Sequence, residues 1–214
     1  MMNIAVIGAS GKAGSSIMKE ALDRGHQVTA IVRDANKVQD SRAQFIEKDI
    51  FSLSAADLKS FDVVVNAFGA PLDEAHLHVD AGNVLIEALQ QGASGTRLIV
   101  VGGAGSLFVD PEKTTRVIDT PGFPDMFKPT ASNQGRNLEI LQSTTGINWT
   151  FVSPSAEFAV GKRTGSYLKG KDHLLVNAKG NSYVSYDDYA IAIVDEIENP
   201  QHQKERFTVA SENE

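Results

Sequence analysis

The segment Asn3-Ile4-Ala5-Val6-Ile7-Gly8-Ala9-Ser10-Gly11-Lys12-Ala13-Gly14 constrains this chain more than any other. Its opening apolar run ends in glycine and reads as a short buried strand. From about Lys12 onward, Ala13, Ile17, Met18, Ala21 and Leu22 recur at helical spacing, and Gly25 behind Arg24 marks the helix stop. Three glycines mark the junction, two before the helix and one in its first turn. Gly8 permits a tight turn, Gly11 leaves the backbone bare toward a ligand, and Gly14 lets the helix approach the strand. The first helical turn offers unpaired N–H groups and the positive end of a dipole, so the loop is built to hold an anion. Ser10 and Lys12 can add side-chain contacts.

The strand-then-helix rhythm continues along the chain. Strands are expected at Val28–Val32, Phe45–Glu47, Asp62–Asn66, Arg97–Val101 and near Trp149–Val152, with a final edge strand at Arg206–Ala210. A helix over His76–Gln91 places Leu77, Ala81, Val84, Leu85, Ala88 and Leu89 on one face, with Gly92 as its stop. Another is expected near Gln134–Gln142, and Ser185-Tyr186-Asp187-Asp188 opens a last one through Glu198. Repeated βα units with apolar strands predict an α/β fold: a Rossmann-type doubly wound parallel sheet in three α/β/α layers. Residues 1–214 are expected to form one domain, with a small substrate-side lobe from loops around 103–130 and 154–185. Only the tail from Ser211 to Glu214 is expected to be disordered.

Composition removes several classes. There is no cysteine, so disulfides, thiolate metal sites and a cysteine nucleophile are excluded. The net charge of −7 comes with no Lys/Arg-rich run, which argues against nucleic acid as a partner. The N-terminal apolar stretch is too short for a signal peptide and no segment reaches membrane-spanning length, so a cytoplasmic protein off the membrane, monomer or homodimer, is expected. His26, His76, His78, His173 and His202 show no metal-ligand spacing and read as surface residues. Asp187 and Asp188 read as helix-start charges.

Within a βαβ unit, a glycine loop of this kind cradles the pyrophosphate of a dinucleotide. The second expected strand ends at Arg33, where NAD-binding chains place an acid for the ribose hydroxyls. A guanidinium suits a 2′-phosphate, which favours NADP(H) over NAD(H), with Lys37 as a helper. The neighbouring Asp34 offers the alternative, a carboxylate for the ribose itself.

The spacing Gly-x-x-Gly-x-x-Gly resembles the short-chain dehydrogenase/reductase superfamily, particularly its atypical and extended members. Asp49-Ile50 resembles the superfamily's acidic–apolar pair at adenine, and Asn66-Ala67-Phe68-Gly69 resembles its cofactor-lining loop after the fourth strand. Ser182-Tyr183-Val184-Ser185 leading into Asp187-Asp188-Tyr189-Ala190 is similar to a late segment of atypical members. Nearly the whole chain resembles the NmrA-like and NADH-flavin reductase group, and flavin reductases of the biliverdin reductase B type. The resemblance implies a cofactor set of Gly8, Ser10, Gly11, Lys12, Ala13, Arg33, Asp49, Ile50, Ala67, Phe68, Gly69, Gly102 and Gly103.

The chain departs from the superfamily in its catalytic pair. Active members carry Tyr-x-x-x-Lys on a helix and a serine after the fifth strand; the lysine lowers the tyrosine pKa for proton exchange with a carbonyl or alcohol. Here the tyrosine slot falls near Ala131, the lysine slot near Gly135, and Gly102-Gly103-Ala104 stands at the serine slot with Ser106 beyond. Carbonyl reduction by that route and sugar-nucleotide epimerisation are thereby excluded. Flavin reduction survives, because hydride transfer to a flat ring needs stacking and orientation more than a protein acid. Phe108, Phe123, Phe127 and Tyr167 are the candidate lid over a small-molecule acceptor such as FMN or FAD, and Ser106 and Lys128 are the remaining polar candidates for a catalytic role. Two readings stand: an NADPH-dependent reductase of flavin-like acceptors, and a non-catalytic NADP(H)-binding regulator of the NmrA type.

Overall fold

A computed structural model describes residues 1–212. The strands are β1 (Asn3–Ile7), β2 (Gln27–Val32), β3 (Gln44–Glu47), β4 (Val63–Asn66), β5 (Arg97–Val101), β6 (Asn148–Ser153), β7 (Glu157–Ala159), β8 (Leu168–Gly170), β9 (Tyr183–Ser185) and β10 (Glu205–Ala210). The helices are α1 (Lys12–Asp23), α2 (Ala55–Leu58), α3 (Leu77–Gly92), α4 (Lys128–Ser143) and α5 (Tyr186–Glu198). The main sheet runs β3-β2-β1-β4-β5-β6-β10-β8. Its pairings are parallel up to β10, and only β8 runs antiparallel to its neighbour. This is the doubly wound Rossmann arrangement expected.

Strand residues alternate between two cores. Ile4, Val6, Val28, Ala30, Val63, Val65, Ile99 and Val152 face α1 and α5. Ala5, Ile7, Ile31, Val64, Leu98, Val100 and Phe151 face α2, α3 and α4. Strands buried on both faces need continuous apolar runs, which is what their sequences supply.

Local chemistry sets the element ends. After α1 the chain closes in a Schellman motif, with His26 N–H donating to the Ala21 carbonyl, Gly25 N–H to the Leu22 carbonyl, and Gly25 at φ +81°. The Ser185 hydroxyl accepts from Asp188 N–H at 3.0 Å and caps α5.

Several boundaries differ from expectation. Helix α4 starts six residues before Gln134, at Lys128, because Pro129 sits in the first turn, where its missing N–H costs nothing. The Arg206–Ala210 strand is not an edge, since β8 pairs along it. The strand β8 escaped notice because Leu-Lys-Gly is too short and polar to show a period. Ser211 is not disordered: it is 2% exposed and its N–H donates to the Tyr183 carbonyl at 2.7 Å. The rest of the expected disordered tail includes 213 and 214, which lie outside the described residues.

Candidate functional site

In this strand order the chain leaves β1 toward β2 on one side, and β4 flanks β1 on the other. That reversal opens a crevice at the carboxyl ends of β1 and β4, where open α/β sheets bind ligands. A cleft of about 480 Å³ occupies the place.

The floor of the cleft is the glycine loop. Gly8 stands at φ +75°, and a Cβ there would come within 2.5 Å of the Ala67 carbonyl oxygen at the end of β4. A Cβ at Gly14 would overlap the Gly8 carbonyl, so α1 meets β1 only through glycine. Gly11 caps α1 without a side chain, and the first helical bond closes from Ser15 N–H to the Gly11 carbonyl at 2.8 Å. The N–H groups of Lys12, Ala13 and Gly14 therefore have no partner within the helix. Gly8, Ser10, Gly11, Lys12 and Ala13 all line the cleft. Three unpaired donors at a bare helix start fit a pyrophosphate.

One end of the cleft is formed by Arg33, Lys48, Asp49 and Ile50. Arg33 is exposed and has no ion pair or hydrogen bond among the described residues. The Asp34 carboxylate is already engaged, accepting from Asn36 N–H and Asn36 Nδ2, both at 3.1 Å. Asp49 accepts from Phe51 N–H at 2.9 Å, which fixes the turn that presents Ile50. Lys48 is paired with Asp57 at 2.8 Å. Lys37 lines the adjoining hollow with Ser10 and Ser15 rather than the cleft itself.

The other end is formed by Ala67, Phe68, Gly69, His78, Val101, Gly102, Thr130, Gln134, Phe158 and Tyr186. Asn66 Oδ1 accepts from Phe68 N–H at 3.1 Å and shapes the loop after β4. A Cβ at Gly102 would overlap the Phe151 ring. Gly103 lies behind the cleft, with the Gln134 amide oxygen filling the space a Cβ would take. Phe158 on β7 packs against Tyr186 at 4.3 Å and Tyr189 at 4.7 Å between ring centres. Burial pushes the Tyr186 phenol above its ordinary pKa.

Helix α4 turns Thr130 and Gln134 to the cleft, one residue before the expected slots. Ala131 instead packs on Gly105, where a Cβ would lie 2.7 Å from the Ala131 methyl, and Gly135 faces the same side. The cleft face of α4 thus offers a hydroxyl and an amide, with no tyrosine or lysine.

The structure relocates the expected lid. Phe108, Phe123, Phe127 and Tyr167 lie outside the cleft lining. Phe108 bridges to Arg116 and His173, because the excursion after β5 folds toward the β8–β10 edge. Arg206 pins it there, donating to Ser106 Oγ at 2.9 Å and to Asp172 at 2.8 Å. Ser106 is thereby a structural acceptor outside the cleft. Lys128 is half-exposed and paired with Asp125 at 2.7 Å, also outside. Phe127 is 45% exposed on the surface. Tyr167 donates to Asp195 Oδ2 at 2.8 Å and lines a separate hollow with Glu196 and Phe207. Desolvation and that hydrogen bond push its phenol pKa up.

The sequence reading missed Phe158, Tyr186, Thr130, Gln134 and His78 as cleft residues. It also placed all five histidines on the surface, whereas His26, His78 and His202 are buried. The available signal for His78 was its place in the apolar period of α3, one residue past Leu77. No group of three or more metal-ligating side chains occurs among the described residues, and none of their helices is long and apolar enough to cross a membrane.

Known proteins place this geometry. The family described as NAD(P)H-binding matches residues 8–200. YwnB of Bacillus subtilis, an uncharacterized protein, is 63% identical over 214 residues, covering all of both chains. A Streptococcus pneumoniae structure, provisionally named an NADH-flavin reductase, is 46% identical with a TM-score of 0.93, covering 99% of this chain and 100% of its own. A Bacteroides thetaiotaomicron structure, provisionally named an epimerase, is 37% identical with a TM-score of 0.89, covering 100% of this chain and 98% of its own. The chain belongs to the NAD(P)H-binding family.

Proposed function

We propose that this protein is an NADPH-dependent reductase that delivers a hydride to a flat conjugated acceptor, a flavin such as FMN or FAD. The observation that carries this reading is the composition of the inner cleft: Phe68, Phe158 and Tyr186 line it, and α4 lacks a tyrosine–lysine pair. Aromatic walls orient a flat ring by stacking, at about 0.5–1.5 kcal/mol per ring pair beyond the area buried. An epimerase or carbonyl reductase needs a proton-exchanging pair on α4, and Thr130 and Gln134 do not form one. The name of the Streptococcus pneumoniae relative, 46% identical, supports flavin as the acceptor, with NADH rather than NADPH as the donor it names.

In this reading the Lys12, Ala13 and Gly14 amides hold the pyrophosphate, and Asp49 with Ile50 borders the adenine. Arg33 meets the 2′-phosphate: it is free of acidic partners, and the carboxylate beside it is spent on Asn36. A bound reduced nicotinamide supplies a hydride. The protein's part is to hold that ring beside Gly102 and to orient the acceptor against the aromatic wall.

The second reading, a redox-sensing regulator, draws on the same missing pair, because a chain that only binds cofactor needs no acid. Mixing protein, NADPH and FMN while following nicotinamide absorbance separates the two. Oxidation well above the protein-free rate is expected. Tight NADPH binding without oxidation would replace the reductase with the regulator.

A further inference from the structure

His78 is the one histidine that lines the cleft. Its residue is 8% exposed, and its ring stands edge-on to Phe68, 5.9 Å away at 72°. Neither ring nitrogen has a hydrogen-bond partner among the described residues. Both nitrogens keep contact with solvent through the open cleft, so a bound molecule can reach them. Ring nitrogens that the protein leaves unpaired, on a wall of the cleft, are set to meet a ligand.

Among the other proton-bearing groups of the cleft, the Tyr186 phenol is held above its ordinary pKa by burial and is the weaker acid, and the charged groups are paired or stand at the opposite end. Lys48 is held by Asp57 of α2, and Asp49 is held by the turn at 50–52, which adds no charge of its own. Lys12 and Arg33 stand at the glycine loop and the end of β2. At the start of α3, His76 and Asp80 lie 3.8 Å apart in solvent, away from the cleft. From α4, Lys128 and Arg136 turn away to Asp125 and Glu139, leaving Thr130 and Gln134 toward the cleft.

We propose that His78 donates the proton that accompanies hydride transfer, which places the acceptor's protonated atom beside the α3 wall; this rests on the reductase reading. The acceptor gains two electrons and one hydrogen from NADPH, which leaves as NADP⁺. The second hydrogen is the proton of the imidazolium N–H: that bond breaks, a new O–H or N–H forms on the acceptor, and neutral imidazole is reprotonated from water in the open cleft. Burial lowers the imidazole pKa, which makes the imidazolium a stronger acid. The substrates favoured are therefore conjugated acceptors that take up a proton on a ring nitrogen or oxygen.

The test uses the full-length protein and two readouts. In NMR, the His78 ring resonance is identified by its loss in His78→Gln. It is expected to move when NADP⁺ and FMN are added together, while those of His173 and His202 stay. In single-turnover NADPH oxidation by FMN, the wild-type rate is expected to rise as pH falls through the imidazole range. For His78→Gln it is expected to be several-fold lower and flat with pH, because hydride transfer to the flavin continues without a protein acid, with NADPH affinity by fluorescence unchanged. An unmoved resonance, or a variant that keeps the wild-type rate and profile, overturns the role of His78 alone. A wild type that binds NADPH and leaves FMN unreduced overturns the reductase reading and this role with it.

Discussion

Gly8 and Ala67 touch backbone to backbone: a side chain on the first would collide with the carbonyl of the second, at 2.5 Å. The contact closes the floor of the crevice between β1 and β4, and it does so with Gly8 at φ +75°. Both facts forbid a Cβ. Gly8→Ala is expected to destabilise the fold by about 1–3 kcal/mol and to abolish NADPH binding. Thermal denaturation and titration calorimetry read the two effects. A variant with wild-type stability and affinity would show that the loop is not the cofactor floor.

Arg33 lacks an acidic partner, and Asp34 is tied to Asn36. Replacing a charge-assisted contact of roughly 1.5–3 kcal/mol with a repulsive one lowers NADPH affinity about 10- to 100-fold. Arg33→Asp is expected to do this while leaving NADH affinity equal or better. Fluorescence titration with both nucleotides gives the ratio, and an unchanged ratio removes Arg33 from nucleotide selection.

In the proposed reading the wall formed by Phe158 and Tyr186 serves the acceptor rather than the cofactor. Phe158→Ala is expected to raise the KM for FMN roughly tenfold, from the loss of about 0.5–1.5 kcal/mol of stacking plus buried area. The NADPH dissociation constant should move little. By contrast Tyr167→Phe, far from the cleft, should leave reduction of FMN as it was and cost only about 1 kcal/mol of stability from its lost bond to Asp195.

Away from the site, Glu196 ties α5 to the start of β5 and to the turn before β10. It is 3% exposed and accepts from Arg97 Nη2 at 2.5 Å, from Gln201 N–H and His202 N–H at 2.9 Å each, and contacts His202 Nδ1 at 2.8 Å. Burial pushes its carboxyl up, but the His202 and Arg97 hydrogen bonds outweigh that and hold the pKa below the usual range. Its stabilisation is therefore present above the unfolded value of about 4.3 and lost as pH falls through the lower folded value. Urea unfolding between neutral pH and pH 3 should show that loss. Glu196→Ala, which strands a buried guanidinium, is expected to cost about 3–5 kcal/mol at neutral pH. A pH-independent midpoint would contradict this account.

Much of the architecture was legible in order of residues alone. Apolar runs such as Ile4–Ile7 and Leu98–Val101 are short and β-branched, which marks them as strands covered on both faces. Gly25 could be placed at a helix end because a positive φ has few takers. The cleft residues Gly8, Gly11, Arg33 and Asp49 were legible for the same reason: they sit at strand ends and helix starts, whose positions follow from local period. Elements with little period were not legible. The three-residue strands β7, β8 and β9 form only because partners distant in sequence complete their hydrogen bonds.

What the sequence determined by itself was the βα rhythm, the bare helix start and the absence of a tyrosine–lysine pair, since each is a matter of neighbours along the chain. Which aromatic rings line the cleft was decided only in three dimensions. Phe108 and Phe127 looked available, yet the Arg206–Asp172 and Arg206–Ser106 bonds draw the excursion after β5 toward the sheet edge. Phe158 takes the place instead because β7 pairs with β9 beside the start of α5. Side-chain direction at the cleft depends on contacts between segments far apart in sequence, and no local spacing encodes them.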